Sequence, residues 1–214
     1  MRCVYCLENE ILSDRQILLR GENLYLCAPL GQMIEGFMVI APYQCIGSLS
    51  KMPLDYIREL ENLTAIVAEF YAKAYRTSRM TFYEQGRAGA GASRDEIDGF
   101  PLHAHLCCLP QEVDLDAVLA PHYSKLNLTG LRQLSERVPD APYIYVEDID
   151  GKSVYVARDS EGRTALERKR LKPEIAALLG IPERGYWRAY PGYGELNQLI
   201  KQWRSIWPNS KTQT

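Results

Sequence analysis

The sequence is poor in several kinds of residue, and each shortage excludes a class of protein. Its 214 residues include only three histidines, so a histidine-based site has few candidates. No apolar run approaches the roughly 20 residues that span a bilayer. The opening residues MRCVYCLENE contain no apolar stretch of the signal-peptide type. We therefore expect a cytoplasmic protein without a membrane partner.

An excess of charge of one sign is also lacking. Lysine and arginine total 25 against 27 acidic residues, which gives a formal net charge of -2. Proteins that bind nucleic acid through its phosphates usually carry a basic excess, so the composition predicts no nucleic-acid partner. Hydrophobic residues make up 46% of the chain, and this share predicts an ordinary packed core.

Six cysteines need an explanation other than disulfides, because thiols stay reduced in the cytosol. Cys3 and Cys6 form a C-x-x-C motif, the common first half of a tetrahedral zinc site. A redox pair is the alternative, although no thioredoxin-like βαβ pattern follows. Cysteine also packs as a small apolar residue, so spacing alone does not choose the other ligands. The candidates are Cys27, Cys45, Cys107, Cys108, His103, His105 and His122.

Hydrophobic periodicity predicts strands and helices mixed without a strict βαβ rhythm. Two β-rich runs flank Gly21-Glu22 as a hairpin, and residues 53–76 carry apolar side chains at the spacing of a long helix. The other segments are predicted as strands at 36–43 and 79–86, loop plus helix at 112–140, a hairpin at 142–159, and helices at 164–180 and 194–206. Within 164–180, Pro173 is expected to kink or split the helix. The pattern predicts an α+β fold with an antiparallel sheet.

Three separated motifs resemble those of the histidine triad (HIT) superfamily, which includes the galactose-1-phosphate uridylyltransferase branch. The signature His-φ-His-φ-His-φ-φ, with φ apolar, corresponds to HAHLCCL at 103–109. The upstream Gly-His-φ-φ-φ-φ-Pro-x-x-His element corresponds to GFMVIAPYQC at 36–45, and many members begin with C-x-x-C. The resemblance implies a HIT-like domain over residues 1–111, with residues 112–214 as a C-terminal α/β extension packed on it.

The same resemblance implies the ligands of a zinc site. In zinc-bearing relatives the ligands are the C-x-x-C pair, the residue after Pro-x-x and the first histidine of the triad. Here these positions are Cys3, Cys6, Cys45 and His103. Cysteine replaces histidine at position 45 and is itself a zinc ligand, so a closed Cys₃His site results. A site closed by four protein ligands indicates a structural Zn²⁺.

His105 occupies the position of the family's nucleophile, which attacks the α-phosphorus of a nucleotide. The resemblance implies a covalent nucleotidyl-histidine that water or another acceptor then resolves. The chemistry needs a neutral imidazole whose second nitrogen is held as a hydrogen-bond donor. In the absence of the resemblance, a core histidine is the simpler interpretation.

Cys107 replaces the third histidine of the triad, and a thiol is a weak hydrogen-bond donor. We therefore assign Cys107 to the catalytic centre with its role left open. Either the leaving group is already good, as phosphate or pyrophosphate is, or another residue supplies the proton. The third possibility is that activity has been lost.

A glycine-rich segment, RAGAGASR at 87–94, precedes the triad and is predicted to cradle phosphate. Glycines let backbone N–H groups approach phosphate oxygens, and arginine adds charge. An ordinary surface loop is the competing interpretation. No carboxylate stands at Ala28–Gly31, where many HIT proteins place the aspartate that binds ribose. The predicted substrate and phosphate ligands are Glu84, Gln85, Gly86, Arg87, Ser93 and Arg94.

The resemblance implies an enzyme that processes a nucleotide or nucleotide conjugate, as a nucleotidyl hydrolase or transferase. The nearest alternative is a nucleotidylyltransferase or phosphorylase that uses phosphate or a sugar phosphate as acceptor. An alternative from another class is a degenerate nucleotide-binding module without turnover. The family also often forms homodimers, so we expect a homodimer.

Overall fold

The computed structural model describes residues 5–86, 103–138 and 141–208, and in these residues eight strands form one antiparallel sheet. The strands are β1 (Ile17–Arg20), β2 (Leu24–Cys27), β3 (Met38–Pro42), β4 (Thr81–Gly86), β5 (Leu106–Leu109), β6 (Ser124–Leu128), β7 (Tyr143–Asp148) and β8 (Gly151–Val156). Their order across the sheet is β1-β2-β3-β5-β4-β7-β8-β6.

Six α-helices within the described residues cover the sheet. They are α1 (Leu54–Tyr75), α2 (Asp116–Leu119), α3 (Gln133–Arg137), α4 (Ser160–Arg168), α5 (Leu171–Leu178) and α6 (Tyr193–Ile206). The α+β class with an antiparallel sheet and a long helix is confirmed. No helix in the described part of the chain has the length and apolarity needed to cross a bilayer.

Side chains alternate between the two faces of the sheet, and each face has its own core. One face, here the α1 face, packs residues such as Leu26, Ile40 and Leu106 against α1, α3 and α6. The other, the α5 face, packs residues such as Val39 and Cys107 against α2, α4, α5 and the N-terminal segment. Both faces are therefore covered, which explains why the central strands are apolar on both sides.

The helix α1 is the long helix that the periodicity predicts. It buries one stripe of side chains at three- and four-residue spacing: Ile57, Leu60, Leu63, Val67, Phe70 and Tyr71. Its end is marked by Arg76 in the left-handed conformation (φ 54°). The helix α6 packs across it, and Trp203 lies 5.0 Å from Phe70 between ring centroids.

The strand β5, which follows the two central histidines, lies in the middle of the sheet. Cys107 pairs with Val39 of β3 on one side and with Tyr83 of β4 on the other. Beyond β4 the sheet continues with β7, where Gly86 pairs with Tyr143. The predicted HIT-like domain (1–111) and the predicted extension (112–214) therefore both contribute strands to one sheet.

One segment differs from its prediction, and a second is divided as its proline allows. The 112–140 region contains the edge strand β6, whose polar and half-exposed sequence SKLNL gives little strand signal. The predicted helix over 164–180 is two helices with a break at Lys169 and Arg170. Pro173 lacks a backbone N–H donor, so it fits the first turn of α5 but not the interior of one continuous helix.

Candidate functional site

Three side chains with metal-binding atoms meet at one end of the central strands. Cys6 comes from the N-terminal segment, Cys45 follows β3, and His103 precedes β5. Their ligand atoms all lie within 4.8 Å of one another. Cys6 Sγ is 3.4 Å from His103 Nδ1. Tetrahedral zinc with ordinary bond lengths would place a sulfur and a nitrogen ligand about 3.6 Å apart, so this separation fits a shared ion.

The second nitrogen of His103 fixes the orientation of the ring. Nε2–H donates a hydrogen bond to the backbone oxygen of Pro42 at 2.8 Å, so the Nδ1 lone pair is directed toward Cys6. Burial lowers the pKa of the His103 imidazole, although the bond to Pro42 opposes the shift. A neutral, oriented imidazole is the form that binds metals.

Three of the four predicted metal ligands are thus brought together, and they can bind a metal ion. The fourth, Cys3, lies outside the described residues. The described cysteines form no disulfide with one another. Two thiols and an imidazole form a donor set that suits zinc better than magnesium or calcium, which prefer oxygen.

His105 is held as the predicted nucleophile requires. Its Nδ1–H donates to the backbone oxygen of His103 at 2.7 Å, so in the neutral ring the lone pair resides on Nε2. The ring of Tyr5 stacks on the imidazole, with 4.7 Å between centroids and 29° between planes. His105 is half-buried, so part of the residue is exposed to solvent.

Cys107 lies on the same face of the sheet as His105 and is buried. The Tyr83 hydroxyl donates a hydrogen bond to its sulfur. Burial raises the pKa of the Cys107 thiol to about 12, against the opposing effects of Tyr83 and the Lys172 ammonium. The side chain at the third triad position is therefore a neutral thiol and carries no positive charge.

A cation reaches this face from the C-terminal half of the chain. Lys172 of α5 donates from Nζ to the backbone oxygen of Gly31 at 2.7 Å. Its ammonium lies 4.9 Å from the centroid of the Phe37 ring. Sequence analysis missed Lys172, because a lysine beside Arg170 and Glu174 at the start of a helix resembles an ordinary solvated residue. Tyr5 was missed too, although it stands beside a predicted metal ligand.

The turn between β2 and β3 is hydrogen-bonded to the C-terminal half of the chain and packs closely against it. Gly31 N–H donates to Pro191 O at 2.7 Å, and Arg184 donates to Met33 O at 3.2 Å. Gly31 has a φ of +78°, and a Cβ there would lie 2.3 Å from Cβ of Trp187. The C-terminal half of the chain therefore packs closely against this turn.

The predicted substrate ligands on β4 divide between the two faces. Glu84 is buried on the α1 face, where its carboxylate accepts from Leu49 N–H at 2.8 Å and from Tyr143 O–H at 2.5 Å. Burial raises the pKa of Glu84 to about 8, and these two hydrogen bonds oppose the shift. This position, across the sheet from His105, favours a structural role.

Gln85 points to the α5 face and donates to Lys169 O at 2.7 Å and Leu166 O at 3.2 Å. It thereby joins the central sheet to the break between α4 and α5. Gly86 makes room for an aromatic ring, because a Cβ there would lie 2.2 Å from the Tyr143 side chain. Arg87, Ser93 and Arg94, predicted to hold phosphate, lie outside the described residues.

Comparison with known proteins gives a partial match. Residues 1–97 match a protein family described as "Protein similar to CwfJ C-terminal". No curated protein matches the chain. Among solved structures, the chain is similar to a Hit-like protein involved in cell-cycle regulation from Bartonella henselae, determined with an unknown ligand. The identity is 12%, the match covers 80% of this chain and 90% of that one, and the TM-score is 0.40. The family match includes the three cysteines of the predicted metal site but ends before His103.

Proposed function

We propose that this protein is a nucleotidyl hydrolase or transferase that acts at the α-phosphate of a nucleotide through a covalent nucleotidyl-His105 intermediate. One observation carries the proposal: His105 Nδ1 is bound to the His103 carbonyl at 2.7 Å, which assigns the lone pair to Nε2. The HIT-like order of motifs supports the same role.

The reaction proceeds in two displacements. His105 Nε2 attacks the α-phosphorus, a P–N bond forms, and the bond from phosphorus to the leaving oxygen breaks with its electron pair on that oxygen. In the second step water or another acceptor attacks the phosphorus. The P–N bond breaks, its electron pair returns to Nε2, and the acceptor oxygen releases its proton to solvent.

The metal site belongs to this proposal as a structural element. A Zn²⁺ held by Cys3, Cys6, Cys45 and His103 would anchor the N-terminal segment to the residues that precede β5. The ion would take part in no step of the reaction. Its ligand His103 also provides the carbonyl that orients His105, so the anchor and the nucleophile share one residue.

The test compares the wild-type protein with His105→Ala on a panel of adenylyl and uridylyl compounds. The panel contains phosphoramidates, dinucleoside polyphosphates and nucleotide sugars. Quenched samples are analysed by mass spectrometry for a nucleotidyl adduct on His105. We expect an adduct in the wild type and a loss of turnover of at least about a thousandfold in His105→Ala. His122→Ala, which removes an exposed histidine, is the matched control and should keep full activity.

A fully active His105→Ala variant would refute the nucleophile. Adding phosphate or a sugar phosphate separates the two reaction types, because a transferase forms a new nucleotidyl product and a hydrolase releases only the nucleoside monophosphate. Binding of nucleotides without any cleavage would assign the protein to the degenerate binding modules instead.

A further inference from the structure

Cys45 is the exposed member of the candidate metal cluster. Its Sγ lies within 4.8 Å of the Cys6 sulfur and of a ring nitrogen of His103. Cys6 is half-buried and His103 is buried, so the cluster is most open to solvent at Cys45. An oxidant dissolved in water would therefore reach this residue before the other two.

The other described cysteines are poor targets for oxidation. Cys27, Cys107 and Cys108 are buried. Burial raises the pKa of the Cys107 thiol to about 12 and holds the pKa of Cys27 and Cys108 well above the ordinary value. The thiolate is the form that reacts with oxidants, so a buried, protonated thiol reacts slowly. Access and protonation thus both direct oxidation to the cluster.

The sulfurs of Cys6 and Cys45 are close enough to join after a small movement. They lie within 4.8 Å of each other, and a disulfide bond is about 2.05 Å long. Cys6 directly precedes the short 3-10 turn Leu7–Asn9, and Cys45 lies in the irregular stretch after β3. Neither cysteine belongs to a strand or an α-helix, so the backbone at both positions can adjust without breaking a ladder of hydrogen bonds.

We propose that Cys6 and Cys45 form a reversible disulfide when a hydroperoxide oxidises the protein, so that the candidate metal cluster is also an oxidation site. The inference goes beyond the proposed nucleotidyl chemistry and does not depend on it. It follows from the cysteine at position 45, because a histidine there would supply a metal ligand but no sulfur.

The oxidation proceeds in two steps whose atoms and electrons balance. The Cys45 thiolate attacks one oxygen of the peroxide, an S–O bond forms, and the O–O bond breaks with its electron pair on a departing hydroxide. The Cys6 thiolate then attacks the sulfur of this sulfenic acid. An S–S bond forms, the S–O bond breaks, and a second hydroxide leaves. Each sulfur is oxidised by one electron, and the peroxide is reduced to two hydroxide ions that take protons from water.

Disulfide formation would remove two ligands from a bound metal ion. Thiolate sulfur binds zinc, whereas a neutral disulfide sulfur is a poor ligand. Of the four ligands that the resemblance implies, only Cys3 and His103 would remain. Oxidation is therefore expected to release the metal.

Oxidation would also act on the segment that positions His105. The carbonyl of Ile46, next to Cys45, accepts a hydrogen bond from Ala104 N–H at 2.6 Å. Ala104 lies between the two histidines, and the His103 carbonyl accepts from the His105 ring at 2.7 Å. Movement of Cys45 during disulfide formation is therefore transmitted to the predicted nucleophile through backbone hydrogen bonds.

The experiment treats fully reduced wild-type protein with hydrogen peroxide, blocks the remaining thiols with an alkylating reagent and digests the protein with trypsin. The expected product joins peptide 3–15, which contains Cys6, to peptide 21–51, which contains Cys45. Tandem mass spectrometry locates the linked sulfurs. This disulfide should form more than about tenfold faster than any oxidation of the three buried cysteines, and a dithiol should reverse it.

Two variants separate this pair from the neighbouring cysteines. Cys45→His keeps a metal-binding side chain but has no sulfur, so the link between the two peptides should be lost. Cys27→Ala removes the buried cysteine of the same tryptic peptide and is the matched control, which should form the link as the wild type does. A disulfide between Cys3 and Cys6 in place of the expected one would overturn the proposal, as would a link that persists in Cys45→His.

Zinc release is a second readout that needs no nucleotide, so it stays separate from the test of the proposed function. The wild type and Cys45→His are loaded with one equivalent of zinc, and a colorimetric chelator measures the free metal before and after peroxide. Release from the wild type alone, in proportion to the linked fraction, is the expected result. Equal release from both proteins, or none from fully linked wild type, would contradict the assignment of the oxidation site to the metal cluster.

Discussion

The ring of Tyr5 stacks on the imidazole of His105 at 4.7 Å between centroids. Tyr5 directly precedes Cys6, whose sulfur lies 3.4 Å from His103 Nδ1. The carbonyl of Tyr5 accepts a hydrogen bond from Tyr25 O–H at 2.6 Å, which fixes its backbone on β2. One short segment therefore contributes both a candidate metal ligand and a neighbour of the predicted nucleophile.

Removal of a bound metal should consequently change the surroundings of His105. We expect the purified protein to contain one zinc ion per chain by elemental analysis. Extraction with a chelator should lower the melting temperature and shift the Cε1–H NMR resonance of His105, because the ring current of Tyr5 acts on that proton. The resonance of His122, an exposed histidine that is not part of the cluster, is the internal control. A His105 resonance that stays in place after complete extraction would contradict the coupling.

Glu84 should make stability depend on pH. Burial raises its pKa from 4.5 to about 8 in the folded protein, so between these values the folded state holds more protons than the unfolded state. The free energy of unfolding then falls as pH rises through this window, by an amount on the order of a few kcal/mol. Urea denaturation of the wild type and Glu84→Gln from pH 5 to 9 measures the effect.

The Glu84→Gln variant cannot ionise, so its stability should fall less over the same range. It should also lose about 1–3 kcal/mol at pH 5, because an amide does not reproduce both hydrogen bonds to Leu49 and Tyr143. Parallel pH profiles for the two proteins would show that Glu84 does not titrate in the fold.

Gly31 should be intolerant of a side chain. Its φ of +78° costs a non-glycine residue about 1–2 kcal/mol, and the added Cβ would meet the Trp187 side chain and, at 2.8 Å, Lys172 Nζ. Gly31→Ala should lower the free energy of unfolding by more than the backbone cost alone and should speed proteolysis near residues 185–191. Gly130→Ala, where nothing lies within 4 Å, is the control. Equal stability of the two variants would argue against a tight contact.

Features that depend on residues close together in the chain can be predicted from the sequence, and features that depend on tertiary packing cannot. The helix α1, the hairpin of β1 and β2 and the helix α6 are specified by local periodicity, and all three are observed. The edge strand β6 has alternating polar residues and half-exposed side chains, so its pattern is weak. Pro173 is visible in the sequence, but the position of the break beside it depends on packing.

The candidate site likewise contains residues that the sequence predicts and one residue that it does not. The resemblance to the HIT superfamily groups Cys6, Cys45 and His103, and the fold brings them together. The approach of Lys172 to Gly31 spans 141 positions of the chain and depends on how α5 lies on the sheet. No local pattern encodes such a contact, because a lysine in a helix is ordinarily solvated.

The position of β4 has a consequence for synthesis of the protein. Its neighbour β7 begins at Tyr143, long after β4 ends at Gly86. While the chain is being translated, β4 exposes an unpaired edge with buried-type residues such as Phe82 and Tyr83 until β7 leaves the ribosome. Open edges of this kind recruit other strands, so newly made chains depend on rapid completion or on a chaperone during this interval.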